Sequence, residues 1–417
     1  MNYFKPVSIS LSPNVEKDDV KLALNLIIRP WLWKKGKAVA ELEEQFKQYL
    51  GVKYAVSFNS GRSSLYAILK AMEGSAGKEV LLQAFTCNAS INPVLWANLE
   101  PVYVDCDKET FNIDIEDLRQ KIIPETKILM VQHTFGSPAN MDEVMSIVRQ
   151  HNLVLIEDCA HALGAKFNGQ LVGTFGEASF FSFSRDKVIS SVYGGMAVTN
   201  DDKTGEALRR AQGEFRMPNS CWTWQQIWHP ILLHYIILPV YNFVDLGKVL
   251  LVLSQWTHVL SKAVHWKEKR GLKPDYFPKA LPNALAIMAL NQFTKLDKFY
   301  NHRKKLFDFY NENLRDTAFT LPKAEPNAQP SYLRYTVKHS KAHDIIFDAW
   351  HKQNILLGDW YTTPIAPFDT KLEEMHYKMG MCPNAEKLSK KTLNLPTHIN
   401  ISMKDAERIV KFLKKYV

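Results

Sequence analysis

The chain has 417 residues, 46% hydrophobic and 23% charged, a composition that excludes a disordered chain and a polytopic membrane protein. That length makes two domains the expected division. With 52 basic and 43 acidic residues the net charge is +9; this suits an anionic partner or a solvated basic surface, while the lack of zinc-finger, helix-turn-helix or RNA-binding motifs argues against nucleic acid.

The first residues, MNYFKPVSISLSPNVEKDD, contain no continuous apolar stretch, so no secretory signal is expected. Cys87, Cys106, Cys159, Cys221 and Cys382 are scattered and form no CxxC pair. They suit a reducing compartment, and the cytoplasm is the expected location. No metal site is expected.

In chain order, residues 38–50 carry apolar side chains at helical spacing and stop at Gly51. Strand-like runs follow at 54–58, 80–82, 101–104, 128–132, 153–157 and 196–199, with helical stretches at 63–72, 115–121 and 141–151 between some of them. Alternation of this kind predicts a mostly parallel sheet covered on both faces, with ligands bound beyond the carboxyl ends of its strands. Residues 217–270 break the pattern. No Asp, Glu, Lys or Arg occurs from Met217 to Val244, and five of the ten tryptophans lie in this region. After it, LDKFYNHRKKLFDFYNENL reads as a long amphipathic helix, and the chain ends in a helix over 402–416. A large domain over 1–280 and a smaller α/β domain over 281–417 are the expected division.

Three segments carry chemistry. In LVLIEDCAHALGA a buried strand runs into Glu157 and Asp158. A carboxylate there can hold a pyridine nitrogen protonated, or can be an ordinary helix-capping acid. In ASFFSFSRDKVISSVYGGMAVTN, Lys187 follows alternating Ser and Phe and precedes the Gly194-Gly195 turn. A lysine whose pKa is lowered by burial or nearby positive charge can form an imine, whereas a loop lysine is more often a surface charge. Ser182 and Ser184 should share a face opposite to Phe181 and Phe183. In SFNSGRSSLYAIL a glycine turn at Gly61 opens a helix, whose first amides and positive dipole end can cradle an anion, or which can be an ordinary capped helix.

These segments, in this order, resemble the DegT/DnrJ/EryC1/StrS family of pyridoxal-phosphate (PLP) dependent sugar aminotransferases. The resemblance extends through WLWKKGKAVAELEEQFKQYLGVKYAVSFNSG, EPVYVDCDKETFNID, HTFGSPANMDEV, IEDCAHALGA, FSFSRDK with GGMAVTN, and CPNAEKLSKKTLNLPTHINIS. It implies an aspartate-aminotransferase-like (type I) α/β fold and a homodimer. It makes Lys187 the Schiff-base lysine and Asp158 the partner of the pyridine nitrogen. Ser182, with the backbone of Gly61, Arg62 and Ser63, becomes part of the phosphate site. Phe85 takes the place of the aromatic stacked on the cofactor ring, and His161 stands near its 3-oxygen. A dehydratase in the family has His at the anchoring position, so Lys187 favours transamination. The implied substrates are an amino-acid donor, with glutamate expected, and a keto-sugar, with a nucleotide as its expected carrier, for surface polysaccharide or related glycans.

The chain also departs from the family. Arg62 replaces a small hydroxyl residue, and its guanidinium has three possible destinations: the phosphate, a substrate anion or the surface. No asparagine stands where the partner subunit contributes one to the phosphate, and Lys279 is nearby. Residues 217–270 read as an apolar insertion. Its tryptophans and basic tail suit peripheral attachment to the inner face of the cytoplasmic membrane, a buried dimer hairpin or a surface for a membrane-bound partner. A non-catalytic scaffold of the same fold is the alternative class, and retention of both Lys187 and Asp158 argues against it.

Overall fold

The short apolar runs become the strands of one sheet. The computed structural model describes residues 4–72 and 77–416. In chain order the sheet strands are β1 (Tyr54–Phe58), β2 (Glu79–Gln83), β3 (Glu100–Val104), β4 (Ile128–Gln132), β5 (Val154–Asp158), β6 (Ala178–Ser182) and β7 (Gly195–Thr199). Across the sheet the order is β1-β7-β6-β5-β4-β2-β3. All are parallel except β7, which runs antiparallel to both neighbours. β6 is a strand that the apolar runs do not predict, because serines break its apolar run to a short stretch.

Both faces of the sheet are covered, which is why its strands lack a polar side. On one face Ile156, Met130 and Phe180 pack beneath Leu65 and Ile68 of α3 (Gly61–Ala71). On the other, Leu155 and Leu129 pack against Val144 and Ile147 of α6 (Met141–His151). Further along that face, Phe181 and Met196 meet Leu42 and Phe46 of α2 (Ala38–Leu50). Gly51 ends this helix in the left-handed region, at φ 68°, where glycine carries no Cβ penalty.

The second core lies toward the C-terminus. β8 (Arg334–Lys338) pairs antiparallel with β9 (Thr392–Pro396). Leu306, Tyr310 and Leu314 of α11 (Leu296–Leu314) pack there with α12 (Ala342–Gln353) and α14 (Met403–Leu413). Ser402 caps α14 through the amide of Asp405, so this helix begins just after the capping serine. α10 (Asn283–Phe293) packs into the first core, whereas Val7–Ser8 pairs with Ile355–Leu356 beside the second. Packing therefore changes over inside α11: Leu296 belongs to the first core and Leu306 to the second.

Leu306→Ala removes a fully buried anchor of this second core. It is expected to cost ~2–5 kcal/mol, read as a lower urea midpoint of unfolding.

Candidate active site

Strands β4 and β5 end level with one another, Gln132 opposite Asp158, while Phe180 of β6 lies opposite Asp158 and β6 runs on two residues further to Ser182. Past these ends is a cleft of about 200 Å³ whose lining includes Gly61, Arg62, Asp158, His161, Ser182 and Lys187. Residues from all three of the chemistry-bearing segments thus meet at one place.

The two acids of β5 have different work, because successive strand side chains point to opposite faces. Glu157 is turned away from the cleft. Its carboxylate accepts from the amides of Gly173 (2.7 Å), Phe175 (2.8 Å) and Gly176 (2.8 Å), and His133 Nε2 lies 3.2 Å away. Asp158 lines the cleft and accepts from Ser90 Oγ (2.7 Å) and the Ala160 amide (3.0 Å). Burial pushes its carboxyl above the ordinary value, while these donors and the charge of Lys187 pull it back. Such a carboxylate is short of positive charge and is matched to a protonated ring nitrogen.

Lys187 has its ammonium 4.9 Å from the centre of the Trp360 ring. Burial lowers its pKa to about 8, with Arg334 lowering it further and Cys87 and Asp158 opposing. Its backbone is fixed from behind. Asn14 Nδ2 donates to the carbonyls of Lys187 (2.6 Å) and Val188 (3.1 Å), and Arg303 Nη2 donates to Asn14 Oδ1 (2.9 Å) and the Val188 carbonyl (2.8 Å).

The turn at Gly61 fits an anion. Ser60 caps α3 by accepting from the Ser63 amide at 3.0 Å, which leaves the amides of Gly61 and Arg62 without an intrahelical acceptor. Ser182 and Ser184 both line the cleft, their hydroxyls 3.4 Å apart, while Phe181 and Phe183 are buried behind them. A Cβ on Gly195 would lie 2.4 Å from the Gly61 nitrogen, so glycine there lets β7 bring the turn against the sheet.

Three expectations change. The Ser63 side chain faces back to Asn59 Oδ1 (2.7 Å), and its amide is spent on the cap. Phe85 is fully buried and does not line the cleft; it stacks on Phe111 at 5.7 Å because the chain turns at this residue with φ 64°. The Arg62 guanidinium goes to none of its three expected destinations. It forms a buried ion pair with Glu268 and packs over Phe277, 4.5 Å from the ring centre. Burial opposes its charge, but Glu268 outweighs that and holds it firmly protonated. Lys279 does not line the cleft either; its backbone pairs with Asn59.

His161 is buried against Trp360, ring centres 5.1 Å apart. Burial and the charges of Lys187 and Arg334 push its pKa well down, so the ring is neutral. Cys87, Ser90, Gln132, Arg185, Trp360 and Tyr361 also line the cleft and were missed. The one signal for Trp360-Tyr361 was an aromatic pair in a short loop between Gly358 and Pro364, far in sequence from the other motifs.

A parallel sheet with one reversed strand, and a lysine and an aspartate meeting beyond its carboxyl edge, define the class of PLP-dependent enzymes with the aminotransferase fold. The DegT/DnrJ/EryC1/StrS aminotransferase family profile matches residues 13–234 and 266–414, and the chain belongs to that family. It is 27% identical over 404 residues, 96% of each chain, to a GDP-perosamine synthase of Caulobacter vibrioides. It is 26% identical to the UDP-N-acetyl-3-dehydro-alpha-D-glucosamine 3-aminotransferase of Acidithiobacillus ferrooxidans, over 96% of this chain and 94% of the relative. Among solved structures, a Helicobacter pylori aminotransferase involved in the biosynthesis of pseudoaminic acid superposes with a TM-score of 0.74 at 21% identity, covering 99% of both chains. The family match leaves 235–265 unmatched, a shorter stretch than the 217–270 that reads as an insertion. The helix before it, α8 (Ser220–Leu232), lies within the match and packs on α1 (Lys17–Ile27).

Glu157→Ala strips three amides of their acceptor. A loss of ~3 kcal/mol or more is expected in urea denaturation, since each unpaired buried group costs ~1–3 kcal/mol.

Proposed function

We propose that the chain is a PLP-dependent aminotransferase that moves an amino group, with glutamate as the expected donor, to a nucleotide-linked keto-sugar used in surface polysaccharide or related glycans. The observation that carries this reading is the convergence of Lys187, Asp158 and the Gly61 turn on one cleft. The names of the relatives, a GDP-perosamine synthase and an aminotransferase of a UDP-linked sugar, support the substrate class.

The residues fit the cofactor. Asp158 would hold the ring nitrogen, the Gly61 and Arg62 amides with the Ser182 hydroxyl would take the phosphate, Lys187 would carry the carbonyl carbon, and neutral His161 would stand toward the 3-oxygen. When bound, PLP supplies an electron sink for breaking a bond at the amine-bearing carbon. The chain's own part is proton handling and cover for the amine. Lys187 would accept a proton from that carbon and return one to the carbon on the far side of the nitrogen, as general base and then acid. Its lowered pKa leaves roughly a tenth of it neutral at pH 7. Trp360 covers one side of the amine, and His161 stacks on that ring.

We place the protein in the cytoplasm as a homodimer. All five cysteines are free, which supports a reducing compartment, and light scattering on the purified chain checks the dimer.

Purified protein loaded with pyridoxamine phosphate is expected to turn over one or more of a panel of nucleotide-linked keto-sugars. Folded protein that binds no PLP would overturn the reading. Borohydride is expected to fix PLP on wild type and not on Lys187→Ala, whose turnover should fall by ~10³-fold or more. Lys187→Arg should fail as well, because arginine stays protonated. The rate at which cofactor-free protein recombines with PLP should rise with pH, with a midpoint near 8, as Lys187 loses its proton. Gly195→Ala is expected to weaken PLP retention at least ~10-fold, measured by equilibrium dialysis, by forcing the Gly61 turn away from the sheet.

A further inference from the structure

The segment outside the family match, 235–265, takes no part in the site's proposed chemistry, yet it is largely helical. α8 continues through a π-helical turn at Leu233–Ile237 and a 3₁₀ turn at Leu238–Val240, and α9 (Leu246–Trp256) folds back on them. One side of α9 is anchored. Gly247 packs on the backbone of Ile237 and Tyr241, and Leu250 and Leu251 pack on a small cluster built from Leu233, Ile237, Tyr241 and Leu260.

The other side of α9 is apolar and open. Leu246, Val249, Leu253 and Trp256 recur at helical spacing and are all exposed, Trp256 by 77%. Val252 between them is 64% exposed, and Val244 in the preceding turn 88%. Tyr235, Ile236 and Phe243 are exposed in the segment leading to it. Between Tyr235 and Trp256 the only charged side chains, Asp245 and Lys248, pair with each other at 2.7 Å. Single exposed apolar residues are ordinary, whereas a continuous face of them marks an interaction surface.

Charge identifies what covers it. A cavity of about 500 Å³ opens beside this segment, between the N-terminal stretch, Pro230–Leu238 and the start of α14. Leu233 and Leu238 form its apolar wall, and Lys5, Lys404 and Arg408 its basic side. The one acid lining it, Asp405, is engaged in the Ser402 cap. His234, also in the lining, is held below its ordinary pKa by burial and by the charges of Lys5 and Lys17. Two copies meeting through this face would bring their basic sides together, whereas an anionic headgroup layer complements both the basic side and the net charge of +9. Tyr235 and Trp256 are of the aromatic type favoured at a membrane–water interface. No helix among the described residues is long and apolar enough to cross a membrane, so α9 would lie along the surface.

We propose that the 235–256 face is a membrane-docking surface: α9 lies in the interface of an anionic bilayer, and the adjoining basic cavity receives a lipid phosphate headgroup. The assignment is independent of the amino-transfer reaction. The test is co-sedimentation of the full-length protein with vesicles of phosphatidylcholine alone or mixed with phosphatidylglycerol. Binding is expected with the mixture, far less with phosphatidylcholine, and to weaken with added salt. Leu253→Glu and Trp256→Glu are each expected to lower partitioning at least ~10-fold by removing buried apolar area. Lys5→Glu and Lys404→Glu are each expected to lower it ~5-fold or more. Amino-transfer activity and melting temperature should match wild type in all four variants. Wild-type protein that stays in the supernatant with both vesicle types would overturn the proposal. So would binding that Leu253→Glu leaves unchanged, or an oligomer that Leu253→Glu dissociates in the absence of vesicle binding. Equal binding to both compositions would overturn the headgroup assignment.

Discussion

The register of the parallel strands is the constraint on which the site depends. Because β4 and β5 end level and β6 runs two residues beyond them, Gln132, Asp158 and Ser182 all line the cleft at the carboxyl edge of the sheet. A slip of one residue in β5 would exchange Asp158 for Glu157 and place the amide-bound acid at the cleft. The reversed strand β7 matters equally. Only an antiparallel neighbour of both β1 and β6 presents Gly195 to the turn that follows β1 and places Gly195 opposite Ser182.

The lysine is held by buried polar contacts rather than by packing alone. Asn14 and Arg303 come from the N-terminal stretch and from α11, yet both bond the backbone around Lys187. Arg303 lies on α11 between Leu296 of the first core and Leu306 of the second, so the Lys187 loop is clamped near where the two cores meet. The amine then feels two opposed influences. Burial and Arg334 favour the neutral form, and Asp158 favours the charged one. Burial wins, and this is the balance a nucleophilic amine requires.

Departures from the family are concentrated on one flank of the cleft. Arg62 and Glu268 form a buried ion pair that ties the helix start at Gly61 to residues just beyond the unmatched segment. A buried guanidinium without its carboxylate would be an uncompensated charge, so Arg62 depends on Glu268. Ser261 and Lys262, inside the unmatched segment, touch the same flank through Arg185 and Tyr193. The segment that carries the exposed apolar face is thereby fastened to the rim of the cleft at its C-terminal end.

The sequence by itself determined the sheet, many helices and the class of chemistry. The boundaries of β1, β4, α5 (Ile115–Lys121), α6 and α11 are those their apolar periodicity predicts, because burial on one or two faces imposes a period the sequence must carry. Motif order likewise points to Lys187, Asp158, Gly61 and Ser182, which the fold brings to one cleft. What it did not carry was side-chain direction and contact between distant segments. Phe85 reads like a cleft aromatic but is turned into the core by its left-handed backbone, while Trp360 stands by Lys187. Arg62 reads like an anion ligand but meets a carboxylate 206 positions away. The composition of 217–270 announced an apolar surface without saying which side was open. Only folding α9 back onto Leu233 and Tyr241 decided that, because an amphipathic pattern fixes a helix's two faces and the tertiary packing alone chooses which one water meets.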